Sequence, residues 1–245
     1  MSWDVMCGVD LETTGLDPER DRVVTAAVVH YGAGGRSFDE CTWVADPGVE
    51  IPAEATAVHG YTTDAVRESG LPAGQVVAEV VAELVDAARQ GLPIVVMNAA
   101  FDLTLLDREA ERYGLESLTD LATRICVLDP RVLDRFVDQY RPGPRRLADL
   151  CSQYQVTHDG AHDACADAVA ACAVTEAIGR ENSWLPEAPL YEVHEAQVRW
   201  AATQQESLRN YFHRMPSKAH LAPGVRTDWP VIPRRVAAPR RWGWR

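Results

Sequence analysis

An apolar run, Val5 to Val9, passes directly into Asp10-Leu11-Glu12-Thr13-Thr14-Gly15, and this junction limits what the chain can fold into more than any other stretch. A short run of this type reads as a buried strand, along which side chains alternate between faces. Asp10 and Glu12 then project to the same side from its end. Two carboxylates in one small volume repel, and one keeps a proton unless a cation neutralises them. A hard divalent ion such as Mg²⁺ or Mn²⁺ suits the pair, because it takes oxygen ligands from one or two carboxylates together with substrate phosphate. An acidic turn closed by Thr-Thr-Gly is the competing reading of the same letters, and the rest of the chain must decide.

The segments that follow alternate strand and helix. Arg22 to Tyr31 is rich in β-branched residues, and Ser37 to Val44 pairs back after the glycine-rich turn 32–35, so residues 5 to 45 read as a three-stranded meander. A short helical turn from Pro52 ends at Gly60; His59 within it either lies on the surface or faces the acidic end of the first strand. Val76, Val77, Val80, Val81, Leu84 and Val85 form one stripe of a helix over 73–90, stopped by Gly91. Pro93 to Met97 is a short apolar strand of the kind buried in the middle of a sheet, and Asn98 opens a helix that continues to Tyr113. Arg124 to Leu128 reads as a further strand, and an alanine-rich helix runs to about Ile178. This rhythm is that of an α/β sheet covered by helices.

Acidic residues recur at the ends of these elements. Asp102 lies in the first turn of the helix after Asn98, where the helix dipole alone would favour an acid. Asp167 sits among Ala164, Cys165, Ala166, Ala168 and Val169, where an unpaired carboxylate would be costly to bury; a partner or a metal is the better reading. Asp159 and Asp163 read as helix-start acids. His162 precedes Asp167 by five residues, and both face one site only if His162 lies on the loop or the first helical turn. His158 has no acid at the matching spacing and serves as the comparison.

D-x-E-T-T-G, then N-x-x-F-D (Asn98 to Asp102), then H-x-A-x-x-D (His162 to Asp167) together resemble the DEDDh, or DnaQ-like, family of 3′-5′ exonucleases, over about residues 4 to 180. The resemblance implies a ribonuclease H-like mixed β-sheet, the antiparallel meander joined by parallel strands, with helices on both faces. It implies Asp10, Glu12, Asp102 and Asp167 as ligands of two Mg²⁺ or Mn²⁺ ions, Glu12 serving catalysis directly and His162 as general base. The backbone of Thr13 and Thr14, with His59 and Phe101, would hold the terminal nucleotide; Asn98 orients this corner or only caps its helix. Met97 stands where relatives often carry histidine, a departure that leaves the acidic set untouched. The expected reaction is hydrolysis at the 3′ end of single-stranded nucleic acid, DNA ahead of RNA, with release of nucleoside 5′-monophosphates.

Charge divides the chain. Residues 199–245 carry a net +8, leaving −20 for residues 1–198 of the total −12. An acidic body argues against broad capture of duplex DNA through many Lys and Arg contacts, but not against a small site where metal meets phosphate. We expect an exonuclease domain over 1–181 and an extension over 182–245, the latter an amphipathic helix 190–214 carrying Val193, Trp200, Gln204, Leu208 and Tyr211, then a basic Pro/Trp-rich tail that lies along the body or is partly disordered. Arg240-Arg241-Trp242-Gly243-Trp244-Arg245 suits single-strand contacts, so a nucleic-acid-binding module without strong catalysis is the alternative. A proofreading subunit bound to a DNA polymerase through residues 182–245 is another. Six cysteines without a C-x-x-C pair favour reduced thiols and a cytoplasmic protein, and neither a signal peptide nor a spanning run of apolar residues is expected.

Overall fold

The computed structural model describes residues 3–32, 34, 36–116, 118, 125–160 and 162–234. The Arg/Trp cluster at 240–245, and with it the stacking tail expected from sequence, lies outside the described residues, as do Arg124 and parts of the turn 32–35.

β1 (Val5–Thr13), β2 (Val23–Gly32) and β3 (Arg36–Asp46) form the antiparallel meander. β4 (Leu71–Pro72) adds parallel to β3; on the other side β5 (Ile94–Val96) lies parallel to β1 and β6 (Val127–Leu128) parallel to β5. The order β4-β3-β2-β1-β5-β6 makes this a mixed, ribonuclease H-like sheet with β1 near its centre.

β1 outruns its apolar residues. Asp10 and Glu12 lie inside the strand rather than behind it, opposite Ala27 and Thr25 of β2, and the register slips only between Glu12 and Thr13. The backbone ladder is indifferent to side chains, and small residues opposite leave the carboxylates room. Cys7, Val9 and Leu11 point into a core shared with α3 (Ala73–Arg89) and α4 (Ala99–Arg112), while Met6 points to the other face. Asp10 and Glu12 share that second face, by the alternation of the strand.

The expected helix ends hold. α1 (Ala53–His59) stops at Gly60, whose φ of 83° is a left-handed cap, and Gly91 takes φ 74° just past α3. Among the elements not legible in advance are α2 (Thr63–Ser69), capped by Thr62, and α5 (Pro130–Val137), capped by Asp129 with proline in its first turn. α6 (Leu147–Tyr154) and α7 (Ala164–Glu181) cover the second face.

After the one-turn α8 (Trp184–Glu187), α9 (Leu190–Arg214) packs through Val193, Gln197 and Ala201. Val193 belongs to the expected stripe, Trp200 packs beside it and Gln204 donates to Val132 O (3.0 Å), whereas Tyr211 is exposed and Gln197 was not expected. Gln197 has its own role. Its side chain donates to Val127 O (2.9 Å) and accepts from Asp129 N (2.9 Å), so an amide stands in for the missing neighbour of edge strand β6. A short 3₁₀ turn (Ala219–Gly224) then leads residues 225–234 back along the body, where Trp229 and Val231 enter the first core. The six cysteines form no disulfide. Among the described residues no helix is long and apolar enough to cross a membrane.

Candidate active site

Gly8 decides where the site forms. A Cβ there would stand 2.6 Å from Cys172 Sγ and 2.8 Å from Ala168 O, so α7 rests directly on β1. That close approach is open only to small residues, and α7 meets it with Ala164, Ala168, Ala170 and Ala171 buried. Its first turn thereby carries Asp167 over the carboxylates of β1. Glu12, His162 and Asp167 each offer a ligand atom, and these atoms lie within 4.8 Å of one another. Asp102 arrives from the sheet's other neighbour: β5 is in register with β1, Asn98 turns the chain with φ 61°, and Asp102 follows in the first turn of α4.

The electrostatics follow from this crowding. Burial, then the charges of Asp102, Asp167, Glu12 and Asp163, push the Asp10 carboxyl well above the usual range. Glu12 is pushed up to about 7 by burial, Asp167 and Asp163. Burial is the main cause at Asp102 as well, opposed by backbone N–H donors and reinforced by Asp129 and Glu12. Such a set holds protons that a divalent cation would displace, and its all-oxygen chemistry fits Mg²⁺ or Mn²⁺.

His162 lies on the loop before α7, exposed, with φ 69°. Its backbone N–H donates to Asp167 Oδ2 (3.3 Å), which brings it to the acidic cluster as the motif implies. His158 does not behave as the comparison it was expected to be. Its Nε2 contacts Asp167 Oδ1 at 2.5 Å, because Gly160 (φ 101°) and His162 fold the loop back on itself and linear spacing loses meaning. Asp163 caps α7 by accepting from Ala166 N (3.0 Å).

Of the expected nucleotide contacts, His59 is buried at the end of α1; its Nδ1 accepts from Tyr61 N (3.2 Å), and the Thr13 backbone and His162 lie beside its ring. Both donors of Thr14 are engaged, the amide with Arg22 O (3.0 Å) and the hydroxyl with Asp21 (2.9 Å), and the Thr13 hydroxyl donates to Gly15 O (2.6 Å). This follows from the loop 14–22 closing on itself, and it leaves Thr14 without a free donor. Phe101 and Asn98 line a different cleft from the one lined by His59 and His162. Asn98 makes no side-chain cap; its Oδ1 accepts from Arg131 (2.6 Å).

Asp129 escaped the sequence reading. It is buried and takes the amides of Asn98 (3.2 Å), Ala99 (3.0 Å) and Arg131 (2.9 Å), so one carboxylate caps α5 and ties down the start of α4 that carries Asp102. Burial raises its pKa, against the pull of Arg131 and these amides. The pair Asp129-Pro130 is the helix-start signature that would have revealed it.

Comparison with known proteins places the fold. E. coli exonuclease I in complex with a dT13 oligonucleotide superposes with a TM-score of 0.60 at 18% identity, covering 74% of this chain and 43% of that one. Exonuclease I from Methylocaldum szegediense gives 0.55 at 20% identity, covering 73% and 41%. A DNA polymerase III subunit epsilon-like protein of Rhodobacter capsulatus is 38% identical over 102 residues, 41% of this chain and 14% of that protein. The present chain thus spans less than half the length of these relatives. The model of the RNase T exonuclease family matches residues 7–175, from β1 through most of α7 and across every acidic residue of the cluster, and the chain belongs to that family.

Proposed function

We propose that the protein is a metal-dependent 3′-5′ exonuclease that hydrolyses the terminal phosphodiester bond of single-stranded nucleic acid, DNA in preference to RNA, and releases nucleoside 5′-monophosphates. The observation that carries this reading is the convergence of Glu12, His162 and Asp167 within 4.8 Å, beside Asp10 and Asp102, whose carboxyls are pushed well above their usual range. Family membership supports it, as does the single-stranded DNA bound in solved exonuclease I structures, one of them in a zinc-bound form.

Asp10, Glu12, Asp102 and Asp167 would hold two Mg²⁺ or Mn²⁺ ions. Such ions, when bound, acidify an attacking water and neutralise charge on the leaving oxygen. The chain's own residues do the rest. His162, exposed on its loop, takes the proton of the water. Phe101 offers a ring for a base or sugar to stack on. His59, buried, lines the other cleft beside the Thr13 backbone, and burial lowers its pKa.

The test uses single-stranded DNA and RNA labelled at the 5′ end, incubated with Mg²⁺, Mn²⁺ or EDTA, with Asp167→Ala alongside. The expected result is a ladder shortening from the 3′ end, absent with EDTA and in the variant. Full activity of Asp167→Ala would remove the ligand assignment, and no cleavage of either strand by metal-loaded protein would favour a binding module.

A further inference from the structure

A cleft of about 510 Å³ opens between the family-matched body and the C-terminal extension. Phe101, Arg131 and Arg135 line one wall, and Gln205, Phe212 and Arg226 the other. The cations in it differ in how they are satisfied. Arg226 is paired with Asp228 (2.9 Å) and Arg131 bonds to Asn98 Oδ1 (2.6 Å). Arg145, behind them, is paired with Asp134 (2.6 Å). Arg135 is half-buried and, among the described residues, makes no hydrogen bond or ion pair. Burial, then repulsion from Arg145 and Arg131, lowers its pKa.

A partly buried guanidinium held among like charges is unfavourable unless an anion completes it, and its planar fork matches phosphate. Two carboxylates line the cleft and both are engaged, Asp129 by three backbone amides and Asp228 by Arg226. Arg131 and Arg135 lie one helical turn apart on the same face of α5, and the cleft is continuous with Phe101 and Asn98. We propose that Arg135, with Arg131, binds the backbone phosphates of the nucleotides behind the 3′ terminus, so that the C-terminal extension converts a terminal-nucleotide site into one that engages several nucleotides of a single strand. This rests on the exonuclease reading and goes beyond it, because the second wall belongs to residues outside the family match.

The test is binding, with EDTA present so that no strand is consumed. Labelled single-stranded DNA from a dinucleotide to about 10 nucleotides is titrated against wild-type protein, Arg135→Gln and, should that variant misfold, Gln205→Glu on the facing wall. Arg135→Gln should weaken binding of the longest strand about tenfold, as loss of a charged hydrogen bond would. The loss should grow with strand length, and the plot of log affinity against log salt should flatten by about 0.7, the value for one phosphate contact on a single strand. The same change with RNA of equal sequence supports the proposal, since phosphate is common to both. An unchanged salt slope, or an equal loss at every length, overturns it while leaving the exonuclease reading in place if the wild type still cuts with Mg²⁺. A wild type that neither binds nor cuts any strand overturns both.

Discussion

At Asp167 two histidines approach one carboxylate from a single loop, and their geometries predict different losses. His162 meets the cluster shared with Glu12, whereas His158 occupies Asp167 Oδ1 at 2.5 Å. Removing a general base costs about 10²- to 10⁴-fold in rate. We expect that loss in kcat for His162→Asn, a replacement chosen because asparagine tolerates the left-handed backbone at φ 69°. His158→Gln should cost less than about tenfold and tighten Mn²⁺ binding, since it frees a ligand oxygen; steady-state kinetics and calorimetry read the two effects. Equal rate losses would mean that the histidines share the proton. The carboxylates give a second prediction. Glu12 titrates near 7 in the folded chain against an ordinary 4.5, so the folded state binds the proton more tightly than the unfolded one. Stability of metal-free protein should therefore fall as pH rises from about 4.5 to 7 and not recover above it. Melting temperatures in EDTA across that window test this, and Asp167→Asn, which removes one source of repulsion, should flatten the fall. A metal-free protein that gains stability over the same window would show that the carboxylates are not crowded in solution.

Elements place these residues, and the contact of α7 with β1 is the most exacting. Gly8→Ala puts a Cβ against Cys172 Sγ and Ala168 O, and overpacking of this kind costs about 1–3 kcal/mol. Urea unfolding should show that loss together with weaker Mn²⁺ binding, because the displaced helix carries Asp167. Cys172→Ala should restore only part of it, since Ala168 O belongs to the backbone; complete rescue would place the strain in the sulfur alone. Much at this scale was legible. The meander, the stripe of α3 and the ends of α1 and α3 follow from two periodicities and from glycines at left-handed positions. β1 was cut short because an apolar run marks burial, not the reach of a hydrogen-bonded ladder. Gln197 was passed over because a hydrophobic stripe has no place for a polar residue, although its amide finishes the edge of β6. The acidic set was legible through its motifs. Asp129 and His158 were not, since what they do depends on elements distant in sequence meeting at the site.

Across the whole molecule the extension behaves as part of the core. Arg108, fully buried, joins Glu19 of the loop after β1 (2.9 Å) to its neighbour Asp107 (2.5 Å) and to the carbonyl of Ile232 (2.6 Å), while Ile232 N donates to Thr104 (2.8 Å). Trp229 sits in the same core as α3 and α4, and its Nε1 reaches Asp129 (3.4 Å), the carboxylate that ties down the start of α4. The segment 225–234 is therefore linked to the element bearing Asp102 both by packing and by hydrogen bonds. Trp229→Ala should cost about 3–5 kcal/mol, which for a chain of this size lowers the melting temperature by roughly 6–20 °C. Amides of residues 225–234 should lose protection from hydrogen exchange at the same time. Trp229→Phe keeps most of the buried ring and loses only the long bond to Asp129, so it should retain that protection and most of the stability. Were Trp229→Ala to melt like the wild type with the strap still protected, the hydrogen bonds of Arg108 and Thr104 would be sufficient to hold it, and the aromatic anchor would be secondary to that buried charge network.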